Sequence, residues 1–352
     1  MNGDCVLTIE AGGTKCEALL MTVEGAALGF HAVYPDAASE TAGHARGRGR
    51  HAAAVAEAVQ GAIRGALKTI CPGGTLHLVN GILLPSTEIL SGLGAERIMP
   101  WSADESESAL AWAGVDEGLV ALSGTGAFGH LRFKGRDWHA DGLGPLLGDR
   151  GGSYQIGREG LRAVFRPGGP PTALREALVR FAGLSSPDNL AQEMVPLSLL
   201  ILGDRTAVAD YAALVNRCAR AGDPVAIGIL EQAADDLAET IEFLAGQADV
   251  ADGALPMIGT GGMIRHSDVY WNRLVKQVSG FLPHVRPLRQ DMPQVAGRAL
   301  AGLGQAIRNC ACHVDAAASR ERLLATLPPV LAEIRPQQET PLPRTTSCKE
   351  KP

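Results

Sequence analysis

The sequence predicts an α/β protein built in two lobes, on three observations. The chain has 352 residues, and at ~150 residues per domain that length suggests two domains. Short apolar strands alternate with amphipathic helical stretches, which implies sheets joined by crossover helices. The order strand, glycine-rich turn, strand of residues 1–33 restarts at Gly118.

In chain order, residues 6–9, 18–22 and 28–33 read as three strands separated by glycine-rich or polar turns, an antiparallel meander. Residues 51–68 carry Ala, Val, Ile and Leu at helical spacing, 76–79 form a buried strand, and 86–93 are again helical. A short strand at 98–100, a helix at 105–113 and a strand at 118–122 follow. Residues 127–139 read as strand, turn, strand, and 151–248 as largely helical. The clearest helix there opens with Asp223 as N-cap and Pro224 at the first helical position. It places Leu230, Ala234, Leu237, Ile241 and Leu244 on one face and reads as a packing helix. A strand at 255–258 and a helix rich in small residues at 295–307 close the pattern, and the Pro-, Thr- and Ser-rich tail 336–352 reads as disordered.

Composition narrows the function. Hydrophobic residues at 46% and charged ones at 20% exclude a disordered chain or coiled coil. A net charge of −6 offers no field to hold nucleic acid or an anionic membrane, so a small-molecule partner fits better. No run approaches the roughly 18 apolar residues of a membrane span, and Met1–Asp4 lacks the basic start of a signal peptide. Seven scattered cysteines are unlike a disulfide framework, and a reducing cytoplasm is expected. Cys310, Cys312 and His313 lack the second cysteine pair of a structural zinc site and read as helix-end packing. The basic run 43–50 reads as a solvated loop, with an anion contact as the alternative.

Three glycine turns carry the chemistry. Glu10-Ala11-Gly12-Gly13-Thr14-Lys15 joins two strands; its glycines let backbone approach a ligand, its N–H groups can nest an anion, and Thr14 and Lys15 add a hydroxyl and a cation. Its spacing is not that of a Walker A loop. Ser123-Gly124-Thr125-Gly126 repeats the chemistry, so the two could grip a polyphosphate from both sides. Gly259-Thr260-Gly261-Gly262 ends a strand where a base or ribose could lie. Asp104 stands at a helix start, where it can cap the helix or act as a general base in phosphoryl transfer; spacing leaves both open. Glu105 and Glu107 read as first-turn charges. The glycine-dense stretch 142–154 contains Asp149, which can cap the following helix or bind substrate hydroxyls.

Residues 9–15, 122–126, 142–154, 259–262 and 296–304 resemble, in order and approximate spacing, the phosphate, glycine/aspartate and adenosine motifs and the closing helix of the N-acetylglucosamine kinase-like and BadF/BadG/BcrA/BcrD ATPase family, in the sugar kinase, Hsp70 and actin superfamily. The resemblance implies an actin-like ATPase fold: two ribonuclease H-like α/β lobes with a central nucleotide cleft for ATP and Mg²⁺. It implies an N-terminal lobe of 1–115 plus 292–335 and a C-terminal lobe of 116–291. By motif match, Gly12, Gly13, Thr14 and Lys15 contact phosphate and Glu10 helps hold the hydrated metal. Gly124, Thr125 and Gly126 form the second clamp, and Gly261 and Gly262 lie by the adenosine. Asp104 is the base on a sugar 6-hydroxyl, with Gly142, Gly144 and Asp149 lining the sugar site.

The implied activity is ATP-dependent phosphorylation of a sugar or amino sugar, by default N-acetylglucosamine or glucosamine, in a chain that could form a homodimer. The chain departs from the family pattern at Ala11, at 34–43, which lacks the sugar-binding Asn, at Asn80–Pro85, and at Arg150, where an acid is usual. The alternative is an ATPase driving a partner enzyme, but Ala127–His130 lacks the cluster-bridging cysteines of such activators. A DNA-binding sensor finds no helix-turn-helix ahead of the first strand.

Overall fold

The computed structural model describes residues 3–11, 16–33, 56–62, 64, 73–80, 94–182, 205–248, 250 and 255–332. Two five-stranded mixed sheets share one plan. In the first, β1 (Cys5–Ala11), β2 (Cys16–Thr22) and β3 (Ala27–Val33) form the expected antiparallel meander. β4 (Thr75–Asn80) and β5 (Arg97–Ser102) extend it in parallel on the other side of β1. In the second, β6 (Gly118–Ser123), β7 (Ala127–Phe133) and β8 (Arg136–Asp141) repeat the meander. β9 (Pro256–Thr260) and β10 (Arg286–Arg289) then add in parallel. Strand order is β3-β2-β1-β4-β5 in one sheet and β10-β9-β6-β7-β8 in the other.

Strands β2, β6 and β9 are buried along almost their whole length, which is why they read as largely apolar runs. Alternate residues of β1 and β2 feed two cores. Val6, Leu19 and Met21 pack with Val295, Ala299 and Leu303 of the helix Gln294–Arg308. Leu7, Ile9, Ala18 and Leu20 pack on the opposite face with Ala58, Val59 and Ala62 of the helical segment 56–62. Residues 51–55, 63 and 65–68 of the expected helix at 51–68, the helix expected at 86–93, the basic run 43–50 and the tail 336–352 lie outside the described residues.

The helix Pro224–Ala248 is the backbone of the second core, and Asp223 caps it as expected, Oδ1 accepting from the Ala226 N–H at 2.9 Å. Asp223 Oδ2 also accepts from the Ala173 N–H at 2.6 Å, so one carboxylate starts two helices, Pro224–Ala248 and Ala173–Ala182. The polar face of Pro224–Ala248 does more than pack. Asp235 takes a two-pronged bond from Arg273 (2.6 and 2.7 Å), and Asp236 accepts from Arg150 at 3.1 Å.

The two sheets are linked through crossed helices. The helix Glu105–Ala113, which follows β5, packs on β6 and β9 through Ala109 and Leu110 against Val120 and Ile258. Gln294–Arg308, which follows β10, lies on β1, β2 and β4 and crosses Glu105–Ala113. At the crossing Gly297 has no room for a side chain: a Cβ there would strike the Ser108 carbonyl and sit 3.2 Å from Trp112 Cβ.

Two predictions follow from this packing. Gly297→Val should cost about 1–3 kcal/mol or more through overpacking, read by chemical denaturation. Gly304→Ala, on the same helix and no closer than 3.4 Å to a flexible Arg308 nitrogen, should be neutral or stabilising by about 0.5–1 kcal/mol. The bonds from Arg273, then Gln277, hold the Asp235 carboxyl below its usual range. Their stabilisation is therefore present above the ordinary carboxylate pKa and is lost as pH falls through the depressed one. Asp235→Asn should lower the thermal midpoint at pH 6, and the gap to wild type should narrow in acid.

Candidate functional site

The second glycine turn is built by contact with two other segments. Ser123 ends β6, and the Gly124 N–H closes the turn on the Gly126 carbonyl at 2.9 Å. The helix Ser153–Phe165 directs its first N–H groups at this turn: Ser153 donates to the Gly124 carbonyl at 2.8 Å and Tyr154 to that of Thr125 at 3.0 Å. Gly152 lies against Gly126, where a Cβ would come within 2.7 Å of the Gly126 carbonyl carbon. Gly261, at φ +97°, lies against the Ser123 carbonyl, which only a residue without Cβ permits. The second glycine turn, the Gly151-Gly152 pair and the third glycine turn are thus one backbone cluster. The fully buried Tyr270 locks it from below, its hydroxyl donating to the Gly151 carbonyl at 2.8 Å. Gly262 begins the short helix Gly262–His266.

The loop between β8 and Ser153 is organised by an acid that sequence reasoning passed over. Asp141 Oδ1 accepts from the Asp149 N–H at 2.6 Å and Oδ2 from the Arg150 N–H at 2.9 Å. Gly142 and Gly144 both take positive φ (+74° and +83°), and neither side of this loop carries a helix cap from Asp149: the N-cap is Gly152. Asp149 is buried, in left-handed backbone at φ +59°, and its carboxylate is paired with Arg205 at the start of the helix Arg205–Arg220. Both groups press on Gly126, 2.6 Å from where its Cβ would be. Arg150, the departure from the family pattern, turns away to Asp236 and to Glu239 at 2.6 Å. A polar cavity of about 220 Å³ opens here, lined by Asp149, Arg150, Tyr154 and Arg158 among others.

Asp104 is the N-cap of Glu105–Ala113. Its Oδ1 accepts from the Glu107 N–H at 2.8 Å, and Glu107 returns the contact to the Asp104 N–H at 3.3 Å, a capping box. The carboxylate is exposed, and its second oxygen has no partner among the described residues. Its charge reaches His130 on β7, in the second sheet.

Glu10 stands near the end of β1, opposite Glu17. Burial raises its pKa most; Arg298 opposes that, and the charges of Glu105 and Glu17 add to it. Arg298 Nε lies 2.5 Å from Glu10 Oε2, a bent charge contact rather than a linear hydrogen bond. Glu10 Oε2 is buried without a hydrogen-bond donor among the described residues, and a carboxylate oxygen is the hard donor that suits a hydrated Mg²⁺. Cys16 faces the same charges. Burial first, then Glu10 and Glu17, push its thiol up to about 11, so it is a protonated packing group. Gly12, Gly13, Thr14 and Lys15 lie outside the described residues, as does the Asn80–Pro85 departure beyond the backbone of Asn80. Cys312 is buried in the core against Gln294–Arg308, and Cys310 is exposed.

The architecture defines a class, the two-lobed actin-like ATPase fold shared by sugar kinases. Over 189 residues the chain is 26% identical to an N-acetylmuramic acid/N-acetylglucosamine kinase of Clostridium acetobutylicum, covering 52% of this chain and 60% of that one. Over 192 residues it is 28% identical to an N-acetyl-D-glucosamine kinase of Dictyostelium discoideum, covering 53% and 59%. The match therefore spans about three fifths of each curated relative's length. A solved structure from Porphyromonas gingivalis, provisionally assigned as an N-acetylglucosamine kinase, superposes with a TM-score of 0.57 at 19% identity, over 89% of this chain and 100% of that one. No protein-family model matches the chain.

The Asp149–Arg205 pair yields a prediction. Arg205→Met leaves a buried carboxylate without its partner and should cost about 1–3 kcal/mol. Asp149→Asn combined with Arg205→Met should recover part of that loss, a coupling that a double-mutant cycle in denaturant reads directly.

Proposed function

We propose that the chain transfers the γ-phosphoryl group of ATP to a hydroxyl of an amino sugar, N-acetylglucosamine or a close relative, with the 6-hydroxyl as default. The observation that supports it most is the convergence of Gly124–Gly126, Gly152 and Gly261 into one backbone cluster beside Asp149, together with the kinase relatives. In this reading the lobes are 1–115 plus 292–335 and 116–291. Gly12, Gly13, Thr14 and Lys15 contact the phosphates from the first lobe, Gly124, Thr125 and Gly126 do so from the second, and Gly261 and Gly262 flank the adenosine. Gly142, Gly144 and Asp149 line the sugar site. Glu10 would hold a hydrated Mg²⁺; bound there, the ion supplies charge neutralisation on the phosphates.

Asp104 accepts the hydroxyl proton as the sugar oxygen bonds to the γ-phosphorus, the bond to the bridging oxygen breaks, and ADP leaves. The cap and the base are one carboxylate with two oxygens, and the cap fixes where the second oxygen stands.

Asp104→Asn tests this without unfolding the helix, because Asn caps as well as Asp. ADP release from Mg-ATP, measured across a panel of sugars and amino sugars with a sugar-free control, should rise with one acceptor in wild type. In Asp104→Asn that increment should fall by about 10²–10⁴-fold, with ATP affinity little changed. Equal turnover with every acceptor, or an unimpaired variant, would overturn the reading.

A further inference from the structure

The proposed reaction uses two carboxylates, Glu10 near the end of β1 and Asp104 just beyond the end of β5. We infer that Arg298 is the positioning residue that fixes these two against each other; the inference rests on the kinase reading above. Arg298 lies on the helix Gln294–Arg308, with its side chain 4% exposed. A cation buried that deeply must find compensating partners, and it has two. Its Nη1 donates to the Ala103 carbonyl at 2.5 Å, and its Nε lies 2.5 Å from Glu10 Oε2.

Ala103 is itself buried and immediately precedes Asp104. Gln305, further along the same helix, donates through Nε2 to the Ser102 carbonyl at 2.6 Å. Two successive carbonyls of the segment leading to Asp104 are therefore held by side chains of one helix, and one of those side chains also holds Glu10. The planar guanidinium makes this a rigid link, because its donors are fixed relative to each other. A lysine at the same place keeps the charge but offers no fixed fork. The structural consequence is that Gln294–Arg308, which packs on the first sheet and crosses Glu105–Ala113, sets the positions of the proposed base and the proposed metal-holding carboxylate together. Neither Glu10 nor the backbone that carries Asp104 can shift without disturbing the same guanidinium.

Two substitutions separate the components. Arg298→Lys retains the cation, and Arg298→Gln retains an amide donor for the Ala103 carbonyl while removing it. For each, the thermal midpoint is measured first. Calorimetry then gives AMPPNP affinity with and without Mg²⁺, and ADP release gives kcat and the acceptor KM. With the variants folded, kcat should fall about 10- to 100-fold in both, while the acceptor KM stays within a few-fold of wild type. The Mg²⁺-dependent gain in AMPPNP affinity should shrink most in Arg298→Gln.

A merely structural ion pair would lower the midpoint and leave kcat per folded molecule and the Mg²⁺ gain unchanged; that result overturns the inference. So does failure of both variants to fold, which would make the role one of stability. If wild type shows no acceptor-dependent ADP release, the kinase reading fails on its own, and the Mg²⁺-dependent gain in AMPPNP affinity then decides for or against Arg298.

Discussion

Backbone-to-backbone contact without intervening side chains is the constraint on which the site depends. Gly126 meets Gly152, and Gly261 meets the Ser123 carbonyl, at separations that a single Cβ would close. Such contacts bring two strand ends and a helix N-terminus into one small volume, and they leave peptide groups as its surface. Side chains then attach at the edges of this cluster: Asp149 and Arg205 against Gly126, and Tyr270 beneath Gly151. The arrangement is costly to assemble in isolation, because glycine loses the most conformational freedom on folding. The buried second core, with the Asp223-capped helix at its centre, provides the offsetting burial.

The same economy governs the relation between the two sheets. Each begins with an antiparallel meander and is completed by strands added in parallel, so the chain must cross from the first sheet to the second and return. It does so through Glu105–Ala113 and Gln294–Arg308, and those two helices lie against each other. A crossing at Gly297, with the backbone of Ser108 as its other surface, leaves little tolerance for sliding.

How much was legible in the sequence follows from the range of the forces involved. The helix 105–113 was read with the bounds it has, because a capping box and a left-handed Gly114 are local signals. The Asp223 cap was equally local, and the meanders followed from alternating apolar runs and glycine turns. β10 was missed. Four residues with arginine at both ends, all at least partly exposed, carry no strand signature, and the strand exists because β9 offers it an edge. Asp149 was left between cap and substrate ligand, and the structure removes the cap because Gly152 takes that place. Its partner Arg205, 56 residues away, and the Arg298 bond to Ala103, 195 residues away, are tertiary pairings that no spacing rule encodes. An arginine in the middle of a helix of small residues was the available hint.

The cap that the structure shows at Asp104 leaves room for the base proposed there, and the reason bears on the proposed catalysis. A general base is effective to the extent that it is already placed where the proton will leave. An exposed aspartate on a free loop would sample several rotamers and lose that freedom at each turnover. Here Oδ1 is committed to the Glu107 N–H and the Asp104 N–H is tied to the Glu107 carboxylate, so the side chain has one orientation before any ligand arrives. The loop behind it is held as well, by the Ser108 hydroxyl on the Asp104 carbonyl and by Arg298 on that of Ala103. A helix cap is usually regarded as a contribution to stability. At this position the same bonds remove the conformational choice that a base would otherwise have to make, so the cap suits the chemical role proposed for Asp104.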